Sequence, residues 1–426
     1  MNPYIVKPVV FQNGERFHVL QDRANGAPLF EPMMYVVSVT RTKGLASATI
    51  KQVLSSIMVL QLALDQMGVD VEARLLDGRM LDLNEVESVI GFCRREVASI
   101  VAPRAVEQTV SAPKVVNLEK VRMHSSPKHK EHLVDSHTVG VRVRYIRDYL
   151  DWLATKRVLS IGPNHSQYAG LSAIREVIRD AFTERVPKVF AKDVNDQRQG
   201  QPPEVLKRLR EVIELDSPEN PWKRKETRIR NKLIVEWFLA FGLRNGELLS
   251  IKISSINFQA NEVAVKRQAD DISDSRTRQP NPKTRSRILP MGEALVVATH
   301  KYITEVRRQQ GMARKTDMLF VANGTGKPLS ISAVNKLFAE LRTKCPGLPP
   351  ELTPHVLRHS WNDSFSDLMD EKKVPEEQEK RMRNELMGWS PNSKTAATYT
   401  RRVTREKAKE ASRSLQNSLM TPVTRD

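Results

Sequence analysis

The feature that most constrains this chain is a stripe of apolar residues at helical spacing: Ile50, Val53, Leu54, Ile57, Leu60 and Leu64. Residues three and four apart share one face of a helix, so this run must bury that face against other elements. Ser47 is placed to cap such a helix, which then runs through Met67. A shorter helix is predicted from Leu83 to Arg94, with Asn84 as candidate cap. Another runs from Thr138 to Lys156, with Arg142, Arg144 and Arg147 on its polar side. Residues 103–134 lose periodicity and gather Pro, Ser, Lys and His, the composition of a loop or insertion. A small helical domain over residues 30–160 follows, and its basic side either holds a duplex or is a solvated face.

The flanks differ in character. Residues 1–29 carry two short strand-like runs around Asn13-Gly14, a strong hairpin signal, and are expected to form a β-hairpin-like extension. Residues 161–198 are expected to be a linker, with some helix around Ala173–Arg185. Gln199-Gly200-Gln201-Pro202-Pro203 marks the start of a second domain, 199–426. That domain opens with a helix over 203–214 and continues through the apolar run Leu233–Leu243. Alternating strands follow at Ile256–Val265 and Arg287–Met291, joined by a basic, proline-containing loop. The charged stretch Asp367–Arg383 is expected to be a solvated helix pair or loop. Ala408, Ala411, Leu415 and Leu419 mark a C-terminal helix. The fold class is mainly α with a small β-sheet, in two domains.

Charge narrows the partners. The 426 residues hold 68 Lys+Arg against 50 Asp+Glu, a formal net charge of +18 spread along the chain. Such an excess favours a polyanion, and nucleic acid is the commonest. An anionic membrane is the rival, but no apolar run approaches the ~20 residues of a membrane span. Met1-Asn-Pro-Tyr lacks the charged and apolar regions of a secretion signal, so a cytoplasmic, nucleoid-associated setting is expected. Cys93 and Cys345 have no CxxC or histidine neighbours and are expected to be reduced, buried thiols. No Asp, Glu, His or Cys cluster has ligand spacing, so neither metal nor cofactor is expected.

Four stretches carry chemistry. Thr353-Pro354 sets up a helix N-terminus, and His355 and Arg358, three residues apart, share one face there as a place for a phosphate. Arg244 follows the apolar run and must find an anionic partner or water; it either pairs locally with Glu247 or clamps a phosphate that Glu247 helps orient. Lys283 precedes the second strand, where an ammonium can donate a proton to a departing alkoxide. Lys266 is the alternative. Arg276, Arg278, Arg285 and Arg287 crowd the same loop, and many of these charges are expected to be generic backbone contacts to a nucleic acid. Tyr399 follows Met387-Gly388-Trp389, and a phenol becomes a useful nucleophile only where cations stabilise its phenolate.

In this order the stretches resemble the tyrosine recombinase (phage integrase) family. Phe241-Gly242-Leu243-Arg244-Asn245-Gly246-Glu247-Leu248 is similar to its "TGLRxSEL" segment, and Thr353 to His359 to its "HxLRH" box. Met387-Gly388-Trp389 through Tyr399 is similar to its "LGHxxxxTTxxY" segment. The resemblance covers residues 200–405, and the helical domain also looks like the family's core-binding domain. Trp389 stands where histidine is commoner, and the Trp389–Tyr399 and Arg358–Trp389 intervals are longer than usual. The resemblance implies a two-domain DNA clamp around duplex DNA and catalytic residues Arg244, Lys283, His355, Arg358, Trp389 and Tyr399, with Tyr399 forming a 3′-phosphotyrosine. It also implies a homotetramer on DNA, joined where needed by an accessory DNA-bending or directionality protein. A type IB topoisomerase and a non-catalytic DNA-binding protein with the same fold are the alternatives.

Overall fold

A computed structural model of the chain describes residues 2–101, 132–188, 200–280, 284–391, 393, 408–409 and 411–417. The chain divides near residue 191 into two compact units.

In the first unit an antiparallel hairpin, β1 (Tyr4–Val10) and β2 (Arg16–Asp22), precedes a helical cluster. The cluster comprises α1 (Phe30–Tyr35), α2 (Ser47–Met67), α3 (Val71–Leu76), α4 (Leu83–Arg94), α5 (Val97–Val101), α6 (Ser136–Ile161) and α7 (Tyr168–Glu184). The apolar stripe of α2 forms the centre of the core, with Leu54, Ile57 and Leu60 fully buried. This helix has the length and hydropathy to cross a membrane, yet most of its apolar window is buried within the unit. Both cysteines are free and buried, and burial pushes the Cys93 thiol up to about 12.

Several expectations are corrected here. The hairpin is no mere extension, because Phe17 and Leu20 on β2 enter the same core as α2. Ser47 does not cap α2; the cap position is Ala46, and the Ser47 hydroxyl lies 3.1 Å from His18 Nδ1. The cap of α4 is Asp82 rather than Asn84. Asp82 accepts from the Glu85 amide and Glu85 reciprocates at the Asp82 amide, each at 2.9 Å, a capping box that satisfies two orphan donors. The segment expected as a linker contains α7, whose Leu171, Ile178 and Phe182 lie on one buried face against α6. The basic side of α6 is partly consumed inside the unit, since Arg142 donates to the Cys93 and Arg95 carbonyls at 3.0 and 2.7 Å.

The second unit is built on α9 (Lys225–Phe241), preceded by α8 (Pro203–Ile213) and followed by α10 (Asn245–Leu249). Trp237 and Phe238 of α9 are fully buried in a core shared with α12 (Ile331–Lys344) and the start of α13 (Pro354–Glu371). A three-stranded antiparallel sheet, β3 (Ile256–Asn257), β4 (Glu262–Val265) and β5 (Arg287–Pro290), replaces the longer strands expected. Helices α11 (Glu293–Lys301) and α14 (Glu376–Met387) complete the described core. The charged stretch 367–383 is not simply solvated. Arg383 is buried, donates to Glu379, Ser366 and Asn362, and lies over the Phe365 ring.

Removing three carbons from Leu60 tests the α2 core. Leu60→Ala is expected to destabilise the protein by about 2–5 kcal/mol, seen as a lower unfolding midpoint by circular dichroism. A change within about 0.5 kcal/mol, typical of a surface site, would contradict that placement.

Candidate functional site

The site grows out of two helix ends. Helix α9 stops at Gly242, whose φ of +57° is left-handed and whose added Cβ would meet the Trp361 side chain at 3.0 Å. A glycine is therefore required for the chain to turn there. The turn buries Leu243 and brings out Arg244 at the start of α10. Helix α13 begins as the sequence predicts: Pro354 takes the first turn and the Thr353 hydroxyl accepts from the Val356 amide at 3.3 Å.

Between these ends lies Glu247, a fully buried carboxylate. Its Oε2 accepts from the Arg244 amide at 2.9 Å and lies 3.1 Å from Arg287 Nη2 and 3.6 Å from Arg358 Nη1. Its Oε1 lies 3.5 Å from Arg244 Nη1 and accepts from the Thr284 hydroxyl. Burial raises the Glu247 pKa, but the Arg287 and Arg358 guanidiniums outweigh it and hold the carboxyl below its ordinary value. One negative charge is surrounded by three cations, leaving net positive potential at the surface end, where the Arg244 side chain is 35% exposed. Arg244 Nη1 is buried and makes no hydrogen bond among the described residues. That atom faces the Glu247 carboxylate, so the exposed remainder of the guanidinium is what an incoming acceptor would meet.

Arg358 is held deeper, at 2% exposure, donating to the Gly242 carbonyl at 2.7 Å while the Trp389 ring covers it at 5.4 Å. His355 is exposed, its Nε2 3.3 Å from that of His359 on the next turn. Arg244, Arg358 and Trp389 are thus brought together around Glu247, with His355 on the same first turn of α13 as Arg358. Lys283 and Tyr399 lie outside the described residues; Lys266 is exposed just after β4.

Three of the four loop arginines bond within the protein, while Arg278 is exposed. Arg276 donates to Asp274, to the Leu329 carbonyl at 2.7 Å and to the Leu249 carbonyl at 3.0 Å. Arg285 donates to the Trp389 carbonyl, and buried Arg287 reaches Glu247 and the Leu386 carbonyl at 2.6 Å. The inward role of Arg287 was readable from alternation, because it shares a strand face with buried Leu289 while Ile288 points out. Thr284 gave no comparable signal. Among the described residues no group of three His, Cys, Asp or Glu is placed to hold a metal ion.

Removing the central charge has a signed consequence. Glu247→Gln is expected to cost about 3–5 kcal/mol at neutral pH by leaving buried guanidiniums uncompensated. The folded pKa of Glu247 lies below the unfolded one, so its stabilisation is complete above about pH 4.3 and is lost as pH falls through the folded value. The acid limb of unfolding should therefore be shallower in Glu247→Gln, and an unchanged limb in pH-dependent denaturation would contradict the assignment.

Comparison with known proteins finds the family that the motifs resemble. The model of the Phage integrase family matches residues 214–406. Tyrosine recombinase XerD of Staphylococcus aureus (strain N315) is 26% identical over 249 residues, covering 54% of this chain and 78% of XerD. The XerD of Staphylococcus saprophyticus is 26% identical over 251 residues, with the same coverage. Among solved structures, the XerA recombinase aligns over 87% of this chain and 91% of its own, at 17% identity and a TM-score of 0.35. The Tn1549 transposon integrase in complex with transposon right end DNA aligns over 68% and 97%, at 16% identity and a TM-score of 0.39. The family match and the XerD relatives point the same way: residues 214–406 match the phage integrase family, and over 54% of its length the chain is similar to tyrosine recombinase XerD.

Proposed function

We propose that this chain is a site-specific recombinase that cleaves and rejoins duplex DNA through a 3′-phosphotyrosine. The observation that supports this most is the Glu247 cluster, one buried carboxylate joined to both Arg244 and Arg358. Two guanidiniums fixed to a common anchor can bind the non-bridging oxygens of one phosphodiester and neutralise charge in a pentavalent transition state. Arg244, the more exposed, meets the phosphate first; Arg358 engages once the side chains covering it shift.

In the proposed step the Tyr399 oxygen bonds to phosphorus as the bond to the 5′ oxygen breaks. The phenol proton passes to His355 and the leaving 5′ oxygen takes a proton from Lys283, so atoms and charge balance. Trp389 backs the Arg358 guanidinium and completes the phosphate shell. The ester to Tyr399 conserves the energy of the broken bond, so rejoining needs no ATP. These cations supply electrostatics that divalent metal provides elsewhere.

Strand exchange joins two duplexes, so the working assembly is a homotetramer on double-stranded DNA. Residues 411–417 of the C-terminal segment are helical. We place this segment on a neighbouring subunit. Truncation after Arg413 should then abolish cooperative binding to a full site while preserving binding to a half-site; unchanged cooperativity in a mobility-shift titration would contradict the docking.

A nicked duplex bearing the protein's own target tests the chemistry. Wild type should accumulate a covalent adduct in EDTA, and Tyr399→Phe should bind equally and trap none. Binding without an adduct in wild type would instead support a non-catalytic DNA-binding protein, and adduct formation on any sequence would support a topoisomerase.

A further inference from the structure

The first unit carries a group of carboxylates short of cations. A cleft of about 240 Å³ opens between α2, the turn into α3, and α6. Asp65, Asp70 and Glu72 are exposed around it, and Leu60, Leu64, Val71, Leu150 and Leu153 contribute apolar walls. In a chain with a net charge of +18, this acidic rim runs against the composition. Asp70 accepts from the Ala73 amide at 3.0 Å as the cap of α3. Lys156 pairs with Glu31 and lies beside the Phe30 and Trp152 rings. That lysine does not balance the group. Burial, then the charges of Glu31 and Asp70, raise the Glu72 carboxyl above its ordinary value against the pull of Lys156.

Acidic residues alone often line a solvated edge; Tyr149 sets this group apart. It lines the same cleft, is only 1% exposed, and its buried hydroxyl has no hydrogen-bond partner among the described residues. Burial raises its pKa, and Glu72 is the charge that adds most, which places the phenol on the acidic side of the cleft. The phenol therefore stays neutral and can accept a hydrogen bond. A buried hydroxyl without a partner costs free energy, which a ligand bringing N–H donors would offset.

Size and charge select that ligand. The cleft is smaller than the roughly 300–1,000 Å³ of sites for drug-sized molecules, so it suits a few heavy atoms. Its sign disfavours phosphate. Among the described residues no three ligating groups are placed to hold a metal ion. An organic cation on an apolar stem matches what is left, with methylenes along the aliphatic walls and the charged head at the carboxylates. We propose that this cleft binds an aliphatic amine, its ammonium held between Glu72 and the Tyr149 hydroxyl. The inference stands apart from strand cleavage, since every residue it uses lies in the first unit.

The probe is 1,4-diaminobutane, titrated by calorimetry into the full chain at fixed ionic strength. DNA is left out because a polyanion binds amines itself. Binding should saturate with the diamine. Tetramethylammonium, which has the charge but no N–H, and 1-pentanol, which has the stem but no charge, should give no saturable heat. Glu72→Gln should weaken binding about tenfold or more, the scale of a lost charged hydrogen bond, and Tyr149→Phe about three- to tenfold. Tyr149→Phe should also raise the melting temperature of the amine-free protein, because it removes a buried group that lacks a partner. Asp180→Asn, an exposed acid on α7 outside the cleft, should leave binding unchanged. Equal heats from tetramethylammonium would reduce the effect to charge screening and overturn the site. Unchanged affinity in Glu72→Gln or Tyr149→Phe, equal weakening by Asp180→Asn, or a lower melting temperature for Tyr149→Phe would overturn it as well.

Discussion

The second unit is organised by a single buried carboxylate. An uncompensated charge is costly in a protein interior, so Glu247 is tenable only because Arg287 and Arg358 approach it and Thr284 donates to it. The dependence runs both ways, for those guanidiniums would be equally costly without the carboxylate. From this balance come the turn after α9, the start of α13, the inward face of β5 and the loop before it. Three stretches far apart in sequence, 242–247, 284–287 and the start of α13, meet at this carboxylate.

The formal charge of +18 overstates what faces a polyanion. Arg307 donates to the Thr316, Met318 and Leu319 carbonyls, Arg276 to Leu249 and Leu329, and Arg142 to Cys93 and Arg95. The planar fork of a guanidinium suits such carbonyl clusters, which a lysine would satisfy less well. These arginines act as structural cross-links rather than as surface charge. Within the site, Arg287 and Arg358 are buried beside Glu247, and Arg244 alone of the three reaches well into solvent.

What could be read from the sequence followed periodicity and local chemistry. The α2 stripe and the Thr-Pro start of α13 are local patterns, and the structure forms both. Arg244, His355 and Arg358 stood out because family motifs marked them, and Glu247 because it lies three residues from Arg244. What sequence left hidden depends on distant partners. Asp82 prevails over Asn84 as a cap because Glu85 answers it, and Ser47 leaves its cap because His18 from β2 is within reach. Helix around Ala173–Arg185 is legible in the sequence, but its packing is not, since the apolar face of the 168–184 helix has meaning only against α6. Thr284 and Arg285 lie in a basic loop with the composition of a DNA-binding surface; only their bonds show Thr284 buried against Glu247 and half-exposed Arg285 tied to the Trp389 carbonyl.

The proposed chemistry requires that Arg244 and Arg358, anchored to one carboxylate, grip one phosphate. A structure of the Tyr399→Phe protein on its own duplex decides this most directly. Both guanidiniums should lie within about 3.2 Å of non-bridging oxygens of a single phosphodiester, with Glu247 still paired to them from behind. Guanidiniums bound to separate phosphates, or a scissile phosphate seated away from Glu247, would contradict it.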